Sequence, residues 1–210
     1  MTVVVGRFQE VSLEVDVDLC HQKNVEIGRR FTGGGTVFHD KGTLNLTVVA
    51  PRQEGLSLGR FNEINCTAIL NSLDQLGAQG KFVSPNSIEV SGRKVSGAAA
   101  AMGRDYAFWH ASILVSTDTD LLNRILLPAR IPKQTKFIRS RWRPVVTLEQ
   151  VLGERVELED VKHEVVRSFA RSYEVGHEVG ELSKEEDRLL ESLHARKYLT
   201  REWNLQGVCL

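Results

Sequence analysis

The sequence predicts an α+β fold: a single domain, residues 1–210, with a mixed, largely antiparallel β-sheet and helices packed mainly on one side. Short β-branched runs separated by turn residues crowd the first half, and helical spacing takes over from about residue 118. The composition, 41% hydrophobic and 26% charged over 210 residues, suits one ordinary globular core. No apolar run approaches the roughly 20 residues of a membrane-spanning helix, and Met1 to Gly6 is too short for a secretory signal. A cytoplasmic protein that binds neither membrane nor nucleic acid is expected, since 27 basic residues balance 27 acidic ones without a basic excess. Cys20, Cys66 and Cys209 lack any CxxC spacing, which excludes a disulfide framework and a zinc site.

Taken in order, Thr2 to Val5 is a β-branched strand, Asp16 caps a short helix through Val17 to Gln22, and Val25 to Arg30 is another strand. The loop Thr32-Gly33-Gly34-Gly35 leads into strand residues Val37 to His39. Asp40-Lys41-Gly42 is turn chemistry, and Leu44 to Val49 a sheet strand. Phe61, Ile64, Ala68, Ile69, Leu73 and Leu76 recur at helical spacing from Leu58, and Gly77 supplies the stop. Strands follow at Lys81 to Val83, Ile88 to Val90, Arg93 to Ala101 and Phe108 to Val115, with a two-residue hairpin turn at Ser91-Gly92. Asp118 to Ile125 is helical, and Pro128 to Pro144 is basic and irregular. Thr147 caps a short helix, and Val161, Val165, Phe169 and Tyr173 share one helical face. Ser183-x-x-Glu186 is a capping box ahead of Leu189, Leu190 and Leu193.

Two segments carry chemistry. In Arg29-Arg30-Phe31-Thr32-Gly33-Gly34-Gly35-Thr36-Val37-Phe38-His39-Asp40, three glycines let a ligand approach the main chain. Their N–H groups form an anion-binding nest, with two arginines just upstream. Neither a P-loop nor a dinucleotide fingerprint is present; a plain hairpin connection is the alternative. In Ser91-Gly92-Arg93-Lys94-Val95-Ser96-Gly97-Ala98-Ala99-Ala100-Ala101-Met102, strict alternation places Lys94 with Ser96 and Ala98, opposite Val95 and Gly97. A Gly/Ala strand marks close approach of a backbone or ligand. Lys94 suits a phosphate or carboxylate there, or is simply an exposed hairpin lysine.

Together these residues resemble the lipoate–protein ligase A family, within the wider group of biotin and lipoate protein ligases. The signatures stand here as Arg29 to Asp40 with Leu44-Asn45, and as Asn86 to Ala99 around Gly92-Arg93-Lys94. Val4 to Gln9, Trp109-His110-Ala111 and the tail Lys197-Tyr198 to Trp203-Asn204 also match, so the resemblance covers nearly the whole chain. It implies a fold like the catalytic domains of class II aminoacyl-tRNA synthetases and biotin ligases. It also implies a two-step reaction: lipoate and ATP, with Mg2+, give lipoyl-AMP, and a lysine of a lipoyl carrier domain then takes the lipoyl group. By resemblance Lys94 is catalytic and bridges the acyl carbonyl and phosphate, and Arg30 holds phosphate. Gly33, Gly34, Gly35, Thr36, Val37, Phe38, His39, Asn45 and Asn86 bind ATP or lipoyl-AMP, while Gly34, Lys94 and His110 line the lipoyl site. His39 is equally readable as a structural histidine, and no metal ligand is assigned. The implied acceptors are E2 subunits of 2-oxoacid dehydrogenases and the glycine cleavage H protein.

The chain departs from the family in three ways. A helix and strand that normally precede the Thr2 to Gln9 segment are missing, which implies a misassigned start or completion by another polypeptide. No C-terminal accessory domain follows, as in archaeal-type catalytic subunits that work with a separate accessory protein. Ser87 stands where Asp is usual. The alternatives are an octanoyl or lipoyl transferase using a pre-activated donor, and a non-catalytic protein that binds lipoyl-AMP or the carrier. Cys66 on a helical face argues against a thioester transferase. Lys133, Lys136, Arg139, Arg141 and Arg143 form a candidate surface for an acidic carrier, or merely a solvated loop.

Overall fold

The computed structural model describes residues 1–129 and 136–208. The chain forms two compact units, one of residues 1–39, 120–142 and 178–210, the other of residues 40–119 and 143–177.

In the first unit β1 (Thr2–Val5) lies between β2 (Glu26–Arg29), which is parallel to it, and β3 (Val37–His39), which is antiparallel. Val3 and Val5 are fully buried, so this strand is central although it begins at residue 2. A four-residue helix α1 (Val11–Glu14), too short to show a sequence period, precedes α2 (Val17–Gln22). The Asp16 carboxylate caps α2 by accepting the Leu19 N–H at 2.9 Å.

A buried arginine organises this unit. Arg29 donates from Nε to the Trp203 carbonyl at 3.0 Å, from Nη1 to Gln9 and Gly6 at 2.7 and 3.0 Å, and from Nη2 to Leu205 at 3.1 Å. Trp203 Nε1 returns a bond to the Arg29 carbonyl at 2.7 Å. The same indole carries Arg7 at 4.6 Å and the Lys197 ammonium at 3.9 Å over its ring. The Lys197 to Asn204 motif is thus a clasp onto β2, built on two π-helical turns, His194–Tyr198 and Glu202–Gln206.

The second unit is a five-stranded antiparallel sheet. It contains β4 (Thr43–Pro51), β5 (Lys81–Val83), β6 (Ser87–Val90), β7 (Arg93–Met102) and β8 (Tyr106–Leu114), in the order β4-β8-β7-β6-β5. Ser91 and Gly92, at φ +49° and +73°, make the two-residue turn between β6 and β7. Helix α3 (Leu58–Gln75), capped by Ser57, packs Phe61, Cys66, Ile69 and Leu73 in one core with Trp109, Ile113 and Val95. Helix α4 (Thr119–Ile125) falls in the first unit from Asp120 on, and the short helix α5 (Leu148–Leu152, capped by Thr147) in the second. Helix α6 (Leu158–Tyr173) lies against α3 through Val161 and Val165, and Ser168 Oγ donates to the Ala68 carbonyl at 2.8 Å. Helix α7 (Lys184–Leu193), which belongs to the first unit, opens with the Ser183–Glu186 capping box.

The α+β class and the largely antiparallel pairing hold, but the strands form two sheets where one was expected. Sequence period does not reveal where pairing breaks. The Asp40 carboxylate accepts the Gly42 N–H at 2.9 Å, the Thr43 hydroxyl at 3.1 Å and the Asp118 N–H at 2.8 Å. That turn sends β4 to pair with β8. Among the described residues no helix is long and apolar enough to cross a membrane.

Candidate active site

In the first unit the triple glycine is a stiff, bonded loop. Arg30 donates from Nη2 to the carbonyls of Gly33 and Gly35 at 2.7 and 2.6 Å, from Nε to Thr32 Oγ1 at 3.1 Å, and from Nη1 to Val4 at 3.2 Å. Burial pulls its pKa down to about 10, which leaves it charged at neutral pH. A trans peptide points its N–H opposite its carbonyl, so the amides of Gly34 and Thr36 turn away from Arg30. The Thr36 N–H meets Ser140 Oγ at 2.8 Å. Gly34 has φ +91°, and a Cβ on Gly6 would strike its carbonyl oxygen. Here glycine is required on both sides of the contact. Val37, Phe38 and His39 form β3, with Phe38 buried in the unit's interior.

In the second unit one sheet face carries the other candidates. Trp109, Ala111 and Ile113 of β8 turn towards α3, so Phe108, His110 and Ser112 turn the opposite way. Cross-strand register aligns Asn45, Ser112 and Gly97 in one row and Thr47, His110 and Ala99 in the next. Gly97 and Ala99 leave the β7 part of this face smooth. Lys94 joins it through a β-bulge, because Ile88 pairs with Ser96 but Glu89 pairs with Lys94, and Val95 is the extra residue. The bulge shifts the alternation by one. Lys94 therefore lies over Gly97, where an added Cβ would come within 2.6 Å of both its Cε and Nζ. The expectation that Lys94 shares a face with Ser96 and Ala98 is corrected: those two face the core. The strand hydrogen bond from Lys94 N to the Pro144 carbonyl, 2.8 Å, holds its backbone.

Asn86 is a strand staple, donating from Nδ2 to the Ala98 carbonyl at 2.6 Å while accepting the Ala98 N–H through its own carbonyl at 2.9 Å. Gln9, within the matched Val4 to Gln9 segment, and Ser140 are partners of the glycine loop, and Glu14 holds Ser140; no motif marked Ser140 or Glu14. Arg139, expected on a carrier-docking surface, instead pairs with the buried Glu14 at 2.7 Å and is withdrawn from that surface. Lys133 and Cys209 lie outside the described residues.

Cys66 is buried among apolar side chains, and desolvation pushes its thiol up to about 12 despite the nearby Lys94 charge. Burial also raises Cys20. Native protein at pH 8 is expected to leave Cys66 unlabelled by iodoacetamide until denaturant is added, with peptide mass spectrometry as the readout. Labelling within minutes in buffer would mean an accessible thiolate. Among the described residues no group of three or more His, Cys, Asp or Glu side chains is placed to hold a metal ion.

The chain matches the family model described as the lipoyl protein ligase A/B catalytic domain over residues 1–170. It is 29% identical to lipoate-protein ligase A subunit 1 of Thermoplasma acidophilum, across 97% of this chain and 80% of that protein. It is 30% identical to an octanoyltransferase of Carboxydothermus hydrogenoformans, across 96% of this chain and 82% of that one. Among solved structures, the bipartite lipoate protein ligase of T. acidophilum, described with its E2 lipoyl domain, superposes with a TM-score of 0.85 at 27% identity, over 99% of this chain and 81% of that one. A lipoate-protein ligase A bound with ATP gives 0.86 at 28% identity, over 99% and 83%.

Proposed function

Because the chain belongs to the lipoyl protein ligase A/B catalytic-domain family, we propose that it is the catalytic part of an ATP-dependent lipoate–protein ligase of the cytoplasm. A lipoate carboxylate oxygen attacks the α-phosphorus of ATP and expels pyrophosphate. The amine of a carrier-domain lysine then attacks the acyl carbon, the acyl C–O bond breaks, and AMP leaves. The observation that carries this reading is Lys94, folded over Gly97 on a smooth sheet face beside Asn45 and His110. An ammonium there neutralises oxygen charge that grows in both steps.

The roles of the remaining residues follow the family resemblance. Arg30 shapes the loop through the carbonyls of Gly33 and Gly35, so it supports phosphate binding by Gly33 to His39 and is not itself the main phosphate ligand. Magnesium enters with the ATP phosphates, since that ion is commonly held by substrate oxygens and few protein groups. The carriers are lipoyl domains of E2 subunits and the glycine cleavage H protein, with an accessory polypeptide assisting adenylation.

Acyl transfer to a purified lipoyl domain tests the reading, comparing lipoate plus Mg-ATP with synthetic lipoyl-AMP. Product from both is expected once any accessory polypeptide is supplied. No product from either would end the ligase reading and leave a binding protein. An octanoyltransferase is the second reading, favoured by the C. hydrogenoformans relative; it is opposed by the burial of Cys66 and predicts activity from an octanoyl carrier without ATP.

Gly97→Ala separates chemistry from folding. The atoms in its way are the end of a flexible lysine, so the melting temperature is expected to stay within about 2 °C of wild type while kcat falls about tenfold or more. Equal kcat would mean Lys94 has no fixed position to lose. Of the basic residues expected on a carrier surface, Arg143 is exposed but lies 3.7 Å from Glu89 in the second unit, and Lys136 and Arg141 are the exposed pair in the first. Arg141→Glu is expected to raise the carrier KM several-fold at low salt without changing pyrophosphate release, and an unchanged KM would dispose of that surface.

A further inference from the structure

Gln9, Thr36 and Ser140 form a closed hydrogen-bond set behind the glycine loop. The Gly6 N–H, which can only donate, meets Gln9 Oε1 at 2.9 Å and so fixes which end of the amide is oxygen. Thr36 Oγ1 donates to the same oxygen at 2.9 Å. Gln9 Nε2 must then face Ser140 Oγ, at 3.0 Å, and the Thr36 N–H reaches that oxygen at 2.8 Å. Two donors occupy both lone pairs of the Ser140 hydroxyl. Its remaining capacity is its own proton.

The serine is held from behind. The fully buried Glu14 accepts the Ser140 N–H at 3.1 Å on each oxygen and pairs with Arg139 Nε at 2.7 Å. Arg139 also donates to the carbonyls of Leu13 and Leu127 at 2.7 and 3.2 Å. A Cβ on Gly35 would lie 3.0 Å from Ser140 Oγ, so the hydroxyl sits against the loop at a residue without a side chain.

The geometry points to Ser140 as an oxyanion-binding residue of the glycine loop: its hydroxyl, fixed as a donor by Thr36 and Gln9, binds a phosphate or carboxylate oxygen, and Glu14 positions it. This rests on the ligase reading of the loop. It requires that the hydroxyl, rather than the loop backbone alone, discriminates substrate oxygen.

Equilibrium binding of Mg-ATP and of lipoate, measured separately on wild type, Ser140→Ala and Ser140→Thr, tests it, alongside thermal melts. Ser140→Ala is expected to weaken one ligand about tenfold or more, with Ser140→Thr restoring most of it. Loss confined to ATP identifies a phosphate oxygen, and loss confined to lipoate identifies the carboxylate. If wild type binds both ligands and Ser140→Ala binds them within twofold, the serine inference falls and the ligase reading stands. If wild type binds neither ligand, with or without an accessory polypeptide, both fall. If Ser140→Ala unfolds, Ser140→Thr and Glu14→Gln are read instead; ATP and lipoate affinities within twofold of wild type in Glu14→Gln, beside an intact melt, overturn the positioning role.

Discussion

Lys94→Ala is expected to lower kcat about 10²- to 10³-fold in each half-reaction, the usual cost of removing a fixed electrostatic contact to a developing oxyanion. The two halves are read apart, as pyrophosphate released from lipoate and Mg-ATP and as lipoyl transfer from synthetic lipoyl-AMP. Stability is expected to change little, because Lys94 is only half-buried and its backbone bonds to the 144–146 segment are kept. Lys94→Arg is not expected to rescue. A planar, longer guanidinium does not reproduce a compact ammonium folded over Gly97. A kcat within threefold of wild type in both assays would remove Lys94 from the chemistry.

Arg29→Ala is expected to be the most damaging substitution to the first unit. It strips the donors from the carbonyls of Gly6, Gln9, Trp203 and Leu205 together. The Gly6 and Trp203 carbonyls keep the Gln9 and Gly207 N–H groups at 3.2 and 3.0 Å. Those of Gln9 and Leu205 lose their donor, at about 1–3 kcal/mol each, a large share of the about 5–15 kcal/mol that holds a typical domain. Arg29→Lys is no remedy, since three donors on one nitrogen do not span a fork of carbonyls drawn from two chain segments. Hydrogen exchange resolves the effect by region. Amides of residues 2–5 and 26–29 are expected to lose protection while those of 106–114 keep it. Unchanged protection in β1 and β2 would show that the clasp is dispensable.

Strand and helix positions were legible because turn chemistry and periodicity are local. Ser91-Gly92, Asp16, Thr147 and Ser183 each marked an end that the structure keeps. The sheet break after β3 was not legible, since the Asp40 turn depends on the Asp118 N–H, far along the chain. The face of Lys94 was misread for a related reason. Alternation assumes an unbroken ladder, and the extra residue Val95 is visible only once β6 is paired. Of the support behind the glycine loop only Gln9 fell in a matching segment; Glu14 and Ser140 left no pattern, since they are scattered and their polarity is consumed by one another and by Gln9. Arg139 looked like one more surface charge among several, and only the burial of Glu14 tells otherwise.

The clasp on Arg29 also sets an order in time. Two of the four carbonyls that satisfy it belong to residues 174 and 176 positions later, so a nascent chain carries this guanidinium with half of its partners missing until Trp203 and Leu205 emerge. Every residue of the second unit is made by position 177. On the ribosome that unit has its complete complement first, and β1 and β2, made before it, close after it.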